Sequence, residues 1–208
     1  MILTGLAPDP RRPDYRLVEV DRGRFASLPA EALAGLNLAI GREIGPLEME
    51  RLQELADLEA AHRAALRAVA RRAHARFDLR RRLVQKQHPP AAVDGALDRL
   101  SAAGLLDDAR FAAEYASVKA GRGRGPARLV RDLQAQGVDR RIAEDAVRSS
   151  LAAEGVDPMH TVRTLAEKRA RQLAGLPAVV RKRRLVAFLV RRGFNGGEVR
   201  EVVESLNS

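Results

Sequence analysis

Three times in this chain a pair of leucines four residues apart runs into a tight turn, and a second amphipathic stretch follows at once. The pairs are Leu79 and Leu83 before Gln87-His88, Leu129 and Leu133 before Gly137-Val138, and Leu185 and Leu189 before Gly193-Phe194. After each turn an apolar position returns, at Val93, Ile142 and Val199, and again about one helical turn later at Leu97, Ala146 with Val147, and Val203. The turn residues lie 50 and 56 positions apart. That period is too long for the commonest two-helix repeats, so each unit is expected to hold three helices. A chain built of stacked helical modules is expected to bind a partner and not to transform a substrate.

The residues available for the core agree with helices. Of 208 residues 46% are apolar, but only 3% are aromatic and none is tryptophan, so the core is aliphatic and packed by Ala, Leu and Val. Absence of cysteine excludes disulfides and thiolate metal sites and fits a reducing compartment. The opening Met1 to Ala7 is broken by Thr4 and Gly5 and followed by Pro8, which is not a signal peptide's apolar stretch. No 18-residue apolar run exists, and a cytoplasmic protein without a membrane segment is expected.

Residues 1–57 read differently from the rest. Ile2 to Leu6 and Tyr15 to Val20 have strand character, Asp21-Arg22-Gly23 makes a turn into Arg24 to Leu28, and Pro29 starts a short helix carrying Leu33 and Leu36 that Gly41 ends. The expected fold is therefore mostly α, with tandem three-helix repeats in an elongated, solenoid-like array over 58–104, 105–155 and 156–208, and a small N-terminal β-hairpin or meander at 1–57. Pro46, Pro89, Pro126, Pro158 and Pro177 mark first helical turns, Asp157 is an N-cap, and Gly104, Gly137, Gly155 and Gly193 mark helix ends. The first helices of the three repeats carry apolar stripes at Leu58, Ala61, Ala65, Leu66 and Val69; at Phe111, Tyr115 and Val118; and at Val162, Leu165, Ala166 and Leu173.

At Gly104-Leu105-Leu106-Asp107-Asp108-Ala109-Arg110-Phe111-Ala112, then Gly123-Arg124-Gly125-Pro126, then Leu129 and Leu133 before Gly137-Val138, the chain resembles the RecX family of regulators of the RecA recombinase. The flanking leucine units have similar spacing, and the Gly23 to Leu28 turn looks like the N-terminal hairpin of some members. Repeat one departs from the pattern, with Gln87-His88 where the family usually has glycine and a large apolar residue. The resemblance implies a non-enzymatic monomer, without cofactor, that binds along the RecA filament on single-stranded DNA. It would inhibit filament growth, ATP hydrolysis and strand exchange, a role in recombination, DNA repair and the SOS response.

The charge of the chain points to an anionic partner. Residues 1–60 hold 7 basic and 11 acidic side chains, whereas the remainder holds 30 and 16, for a net of +10 overall. A filament- or DNA-binding basic track is expected from Arg80, Arg81, Arg82, Arg122, Arg124, Arg128, Arg131, Arg181, Lys182, Arg183, Arg184, Arg191 and Arg192, because the same element of each repeat is basic. Binding to single-stranded or duplex DNA would then be non-specific. The Gly121 to Pro126 segment lacks the Gly-Lys-Ser/Thr ending of a nucleotide loop. It reads either as a charged connector or as an anion-contact loop, and the resemblance favours contact. Arg63, Arg67 and Arg71 form one helical stripe in which Glu59 offsets only the first.

Catalytic and metal chemistry find little to stand on. Asp107-Asp108 is a sharp acidic pair, and its place before a helix favours capping over acid/base or metal work. His62, His74, His88 and His160 show no i,i+4 pair and no neighbouring ligand cluster, so they read as surface or partly packed residues and no metal site is expected. The rival of another class is a helix-turn-helix DNA-binding protein, transcriptional or nucleoid-associated. Its would-be recognition helices start at Pro89-Pro90-Ala91-Ala92, Asp139-Arg140-Arg141-Ile142 and Asn195-Gly196-Gly197-Glu198, which apart from Asn195 and the arginine pair are poor base readers.

Overall fold

The computed structural model describes all residues except 37, 154, 156, 195, 207 and 208. The described chain divides into two compact units, Met1–Arg72 with Leu79–Leu106, and Ala73–Asp78 with Asp107–Ser208.

The first unit opens with an antiparallel meander, β1 (Leu3–Asp9), β2 (Arg12–Val20) and β3 (Gly23–Pro29), in the order β1-β2-β3. All three strands run longer than the sequence pattern indicates, because hydrogen bonds supply what the apolar alternation does not. Asp9 is buried, and its carboxylate accepts bonds from Ser27 Oγ at 2.6 Å and the Arg11 N–H at 3.0 Å. Those bonds hold its pKa below the usual carboxylate value. The short helix α1 covers only Ala30–Leu33, with Pro29 as its N-cap; Leu36 lies beyond it and Gly41 sits in a later turn at φ +86°. Leu3, Val18, Leu28, Leu33 and Ile44 close a core with Leu52 of α2 (Pro46–Val69).

Helix α2 then packs on α4 (Pro90–Ala102), with α3 (Arg76–Gln85) adding Leu79 and Leu83 to a core of Ala61, Ala65, Val93, Ala96, Leu97 and Leu100. Glu59 does not offset Arg63. It is 2% exposed, and its two oxygens accept from Tyr15 Oη at 3.0 Å and Arg99 Nη1 at 2.6 Å, so one buried carboxylate ties β2, α2 and α4 together. Burial pushes the Tyr15 phenol up, with the Glu59 bond adding to it, and pushes the His62 imidazole down.

The second unit holds two more helix triplets. In the first, α5 (Asp108–Ala120), α6 (Pro126–Ala135) and α7 (Arg140–Ala153) enclose Phe111, Ala112, Ala116, Leu129, Leu133, Ala143 and Val147. Val118 faces solvent, and the inward stripe of α5 is carried by small residues that let α7 approach. In the second, α8 (Pro158–Gln172), α9 (Ala178–Arg192) and α10 (Gly197–Ser205) enclose Val162, Ala166, Leu185, Leu189, Phe194, Val199, Val202 and Val203.

The helix starts follow capping chemistry. Asp107 accepts from the Ala109 and Arg110 N–H groups and Asp157 from that of Met159. Pro46, Pro126 and Pro158 are first helical residues, whereas Pro89 and Pro177 stand one place earlier, as N-caps. Asp108 has a longer reach than a first-turn residue needs. Its Oδ1 accepts the Arg76 N–H at 2.7 Å and so caps the start of α3.

The three leucine-pair turns share one geometry. In each, the residue after the turn returns its N–H to the second leucine's carbonyl: His88 to Leu83 at 3.2 Å, Val138 to Leu133 at 3.1 Å, and Phe194 to Leu189 at 3.1 Å. The preceding N–H bonds to the carbonyl three residues back, which completes a Schellman closure. Its left-handed residue is Gln87 (φ +66°), Gly137 (φ +84°) or Gly193 (φ +95°). Repeat one thus makes the same turn as the others despite its different residues.

Candidate anion-binding interface

Helix ends without partners create this site. The last carbonyls of α9 and the first N–H groups of α6 each lack an intrahelical mate. They satisfy each other: the Gly125 N–H donates to Arg192 O at 2.8 Å and the Ala127 N–H to Gly193 O at 3.2 Å. The negative end of one helix dipole thereby meets the positive end of the other. The approach is tight, since a Cβ on Gly193 would sit 2.3 Å from Arg128 Cβ and 2.4 Å from its backbone nitrogen.

This joint carries Arg191 and Arg192 to the loop between α5 and α6. Together with Lys119, Arg122, Arg124 and Arg128 they line a concavity of about 430 Å³. Behind it Asp132 organises two of the cations. Its carboxylate pairs with Arg124 and accepts from Arg128 Nε at 2.8 Å, while Tyr115 Oη donates to it at 3.3 Å and accepts from Arg124 Nη1 at 3.0 Å. Burial, followed by the Asp132 charge, pushes the Tyr115 phenol up and keeps it a donor. Arg192 stacks 5.3 Å from the Phe188 ring centre, which holds its guanidinium at the rim. Lys119, Arg122 and Arg191 have no ion-pair partner among the described residues. Six cations therefore face one carboxylate, and three of the six are held in place before any ligand arrives.

The remaining residues of the expected track lie elsewhere. Arg80, in the first unit, is engaged bidentately by Asp94 at 2.6 and 3.0 Å, and Arg81 and Arg82 are exposed beside it on α3. Arg131 turns to a different groove, its Nε donating to Ala127 O at 3.2 Å. Lys182 lines a cleft against α10, while Arg183 and Arg184 are exposed along α9 and Arg181 is half-buried. Sequence reading missed Lys119, Tyr115 and Asp132. Asp132 had a signal, since it lies one helical turn after Arg128. The histidines also need correction, because His74 is buried with its Nδ1 3.5 Å from the buried Asp78 carboxylate. Among the described residues no group of three or more His, Asp or Glu side chains has metal-binding geometry, and no helix is long and apolar enough to cross a membrane.

Comparison with known proteins places the fold and the family. Family models match three successive segments: the first three-helix domain of RecX over residues 61–100, the second over 107–147 and the third over 157–203. The regulatory protein RecX of Halorhodospira halophila is 38% identical over 143 residues, which cover 68% of this chain and 85% of that protein. The chain belongs to the RecX family. RecX of Thermobifida fusca is 36% identical over 146 residues, covering 68% of this chain and 76% of the relative. Among solved structures, a crystal structure of regulatory protein RecX superposes with a TM-score of 0.78 at 18% identity over 98% of each chain. RecX from Lactobacillus salivarius gives 0.63 at 20% identity over 73% of this chain and 97% of that one. The shared fold is thus the mostly helical repeat architecture with its small N-terminal sheet, in a family of regulatory proteins.

Proposed function

We propose that this chain binds the RecA filament on single-stranded DNA and inhibits its ATPase and recombinase activities, as a non-enzymatic, cytoplasmic monomer. In this reading residues 58–104, 105–155 and 156–208 act as three binding modules behind an N-terminal segment of 1–57; Val156 and Ser208, at the limits of the third, lie outside the described residues. The observation that carries the reading is the concavity of Lys119, Arg122, Arg124, Arg128, Arg191 and Arg192, which gathers cations from two modules for an anionic surface. Contact with DNA phosphates there would be independent of sequence and would weaken with salt, with a slope of about 0.7 per phosphate on a single strand.

The helix-turn-helix alternative gains nothing at the start of α7. Asp139 is used as a cap for the Arg141 N–H, and Arg140 is paired with Glu144 at 2.7 Å. Asn195, the other candidate base reader, lies outside the described residues.

The test is RecA ATPase on single-stranded DNA with the wild-type chain and with a Lys119→Glu/Arg122→Glu/Arg191→Glu variant. Arg122 and Arg191 are exposed, Lys119 is half-buried, and none of the three has an ion-pair partner among the described residues, so the variant should keep its helicity while its half-inhibitory concentration rises at least tenfold. A folded variant that inhibits as well as the wild type would remove the concavity from the mechanism.

A further inference from the structure

Helix α9 is apolar on more than its core side. Leu185 and Leu189 enter the core, but Val179 and Val190 stand exposed on an adjoining face with Lys182, and Val186, half-buried against the core, continues that face at spacings of three and four residues. Val179 is 82% and Val190 46% exposed. At 1.5 Å per residue the stripe runs roughly 16 Å, about three helical turns. Val190 forms a ridge between two grooves. On one side Val186, Val199 and Val203 floor a cleft of about 330 Å³ with Lys182 and Arg200 at its edge. On the other, Ala127 and Val130 floor a groove of about 540 Å³ edged by Arg131 and Arg140.

Charge selects the occupant. Helix α9 carries six cations, Arg181, Lys182, Arg183, Arg184, Arg191 and Arg192, and no acid. The acids at the groove edges are already engaged, Glu144 by Arg140 at 2.7 Å and Glu204 by Arg200 at 3.1 Å. Lys182 and Arg131 have no ion-pair partner among the described residues. An aliphatic floor offers nucleic acid neither stacking nor hydrogen bonds, and six cations without an acid on α9 call for a partner segment of opposite charge.

We propose that the Val179–Val190 face of α9 docks an acidic helical segment of a partner protein, seated through aliphatic side chains at i, i+3/i+4 and i+7. This mode is helix-in-groove recognition, in which apolar anchors give affinity and flanking charges give choice of partner. It is a surface additional to the basic concavity and does not depend on what that concavity binds.

The experiment uses the full chain and a fluorescein-labelled 15-residue peptide with leucines at positions 1, 4, 8 and 11 and glutamates at most others. A peptide with lysine for each glutamate and a 20-nucleotide oligothymidylate serve as further probes. Anisotropy should show saturable binding of the acidic peptide, none of the lysine peptide, and no competition by oligothymidylate. Val179→Lys/Val190→Lys is the deciding variant, because it removes the apolar anchors while adding positive charge at exposed positions; binding should weaken at least tenfold with an unchanged thermal melt. Lys182→Glu should weaken it about threefold. Equal or tighter binding by the Val pair variant would show that charge alone attracts the peptide and would overturn the proposal. So would absence of binding, displacement by oligothymidylate, or a concentration-dependent dimer in sedimentation that the Val substitutions abolish.

Discussion

The turn that closes α3 and the turn that closes α9 have the same backbone and the same hydrogen bonds, yet one is built on Gln87 and the other on Gly193. Both residues lie in the left-handed region, at φ +66° and +95°. Gln87 is exposed, and an exposed left-handed residue accepts a side chain at a modest cost. Gly193 is buried under the start of α6, where a Cβ would meet backbone atoms of Arg128. Gly137 resembles Gly193, with Phe77 Cβ and Cγ 2.3 Å from where its own Cβ would stand. The glycines after the second and third leucine pairs are therefore demanded by packing as well as by φ, and repeat one departs from the pattern where packing makes no such demand.

Substitutions at the three turns probe that difference. Gly193→Ala combines left-handed strain with a backbone clash and should cost about 3 kcal/mol or more in thermal or urea unfolding. Since the joint it breaks also places Arg191 and Arg192, the RecA inhibition of the proposed function should fall with it; a wild-type melt would show that the α6–α9 contact is dispensable. Gly137→Ala should cost less, about 2 kcal/mol, because its neighbour is the half-exposed side chain of Phe77 and not a backbone. Adding Phe77→Ala should recover part of that loss and not all, as the ring leaves while Cβ stays; strict additivity of the two would separate the loss from the contact. Gln87→Gly has the smallest expected effect and the opposite sign, a gain of about 0.5 to 1 kcal/mol. A loss there would mean that the glutamine side chain makes a contact of its own.

The same contrast shows what the sequence makes legible. Leucine pairs, N-caps and the left-handed turn that closes a helix act within one helix, so helix order and the cap at Asp107 can be read from residues a few places apart. The inner face of α5 cannot, because Val118 and Ala116 are both apolar and only the approach of α7 decides which is buried. The extension of β2 back to Arg12 is hidden by Pro13, which a strand pattern rejects and a register shift between Pro8 and Asp9 of β1 accommodates. At the basic site the arginines are visible in the sequence. Their convergence is not, because it rests on hydrogen bonds between Gly125 and Arg192 and between Ala127 and Gly193, some 66 residues apart. Nor does sequence show which of the arginines are already committed to a carboxylate, as Arg80 is to Asp94.

Glu59 has a consequence for anyone who shortens the chain. Its carboxylate gives up water on folding and is resolvated by one hydroxyl from β2 and one guanidinium from α4. A cut just before Pro46, where the first long helix begins, would discard the Tyr15 hydroxyl and uncover Leu52 while leaving the acid in place. The sheet is in this sense half of the solvent of Glu59, and the pair of helices α2 and α4 is not a free-standing piece that happens to carry a β-ornament at its front.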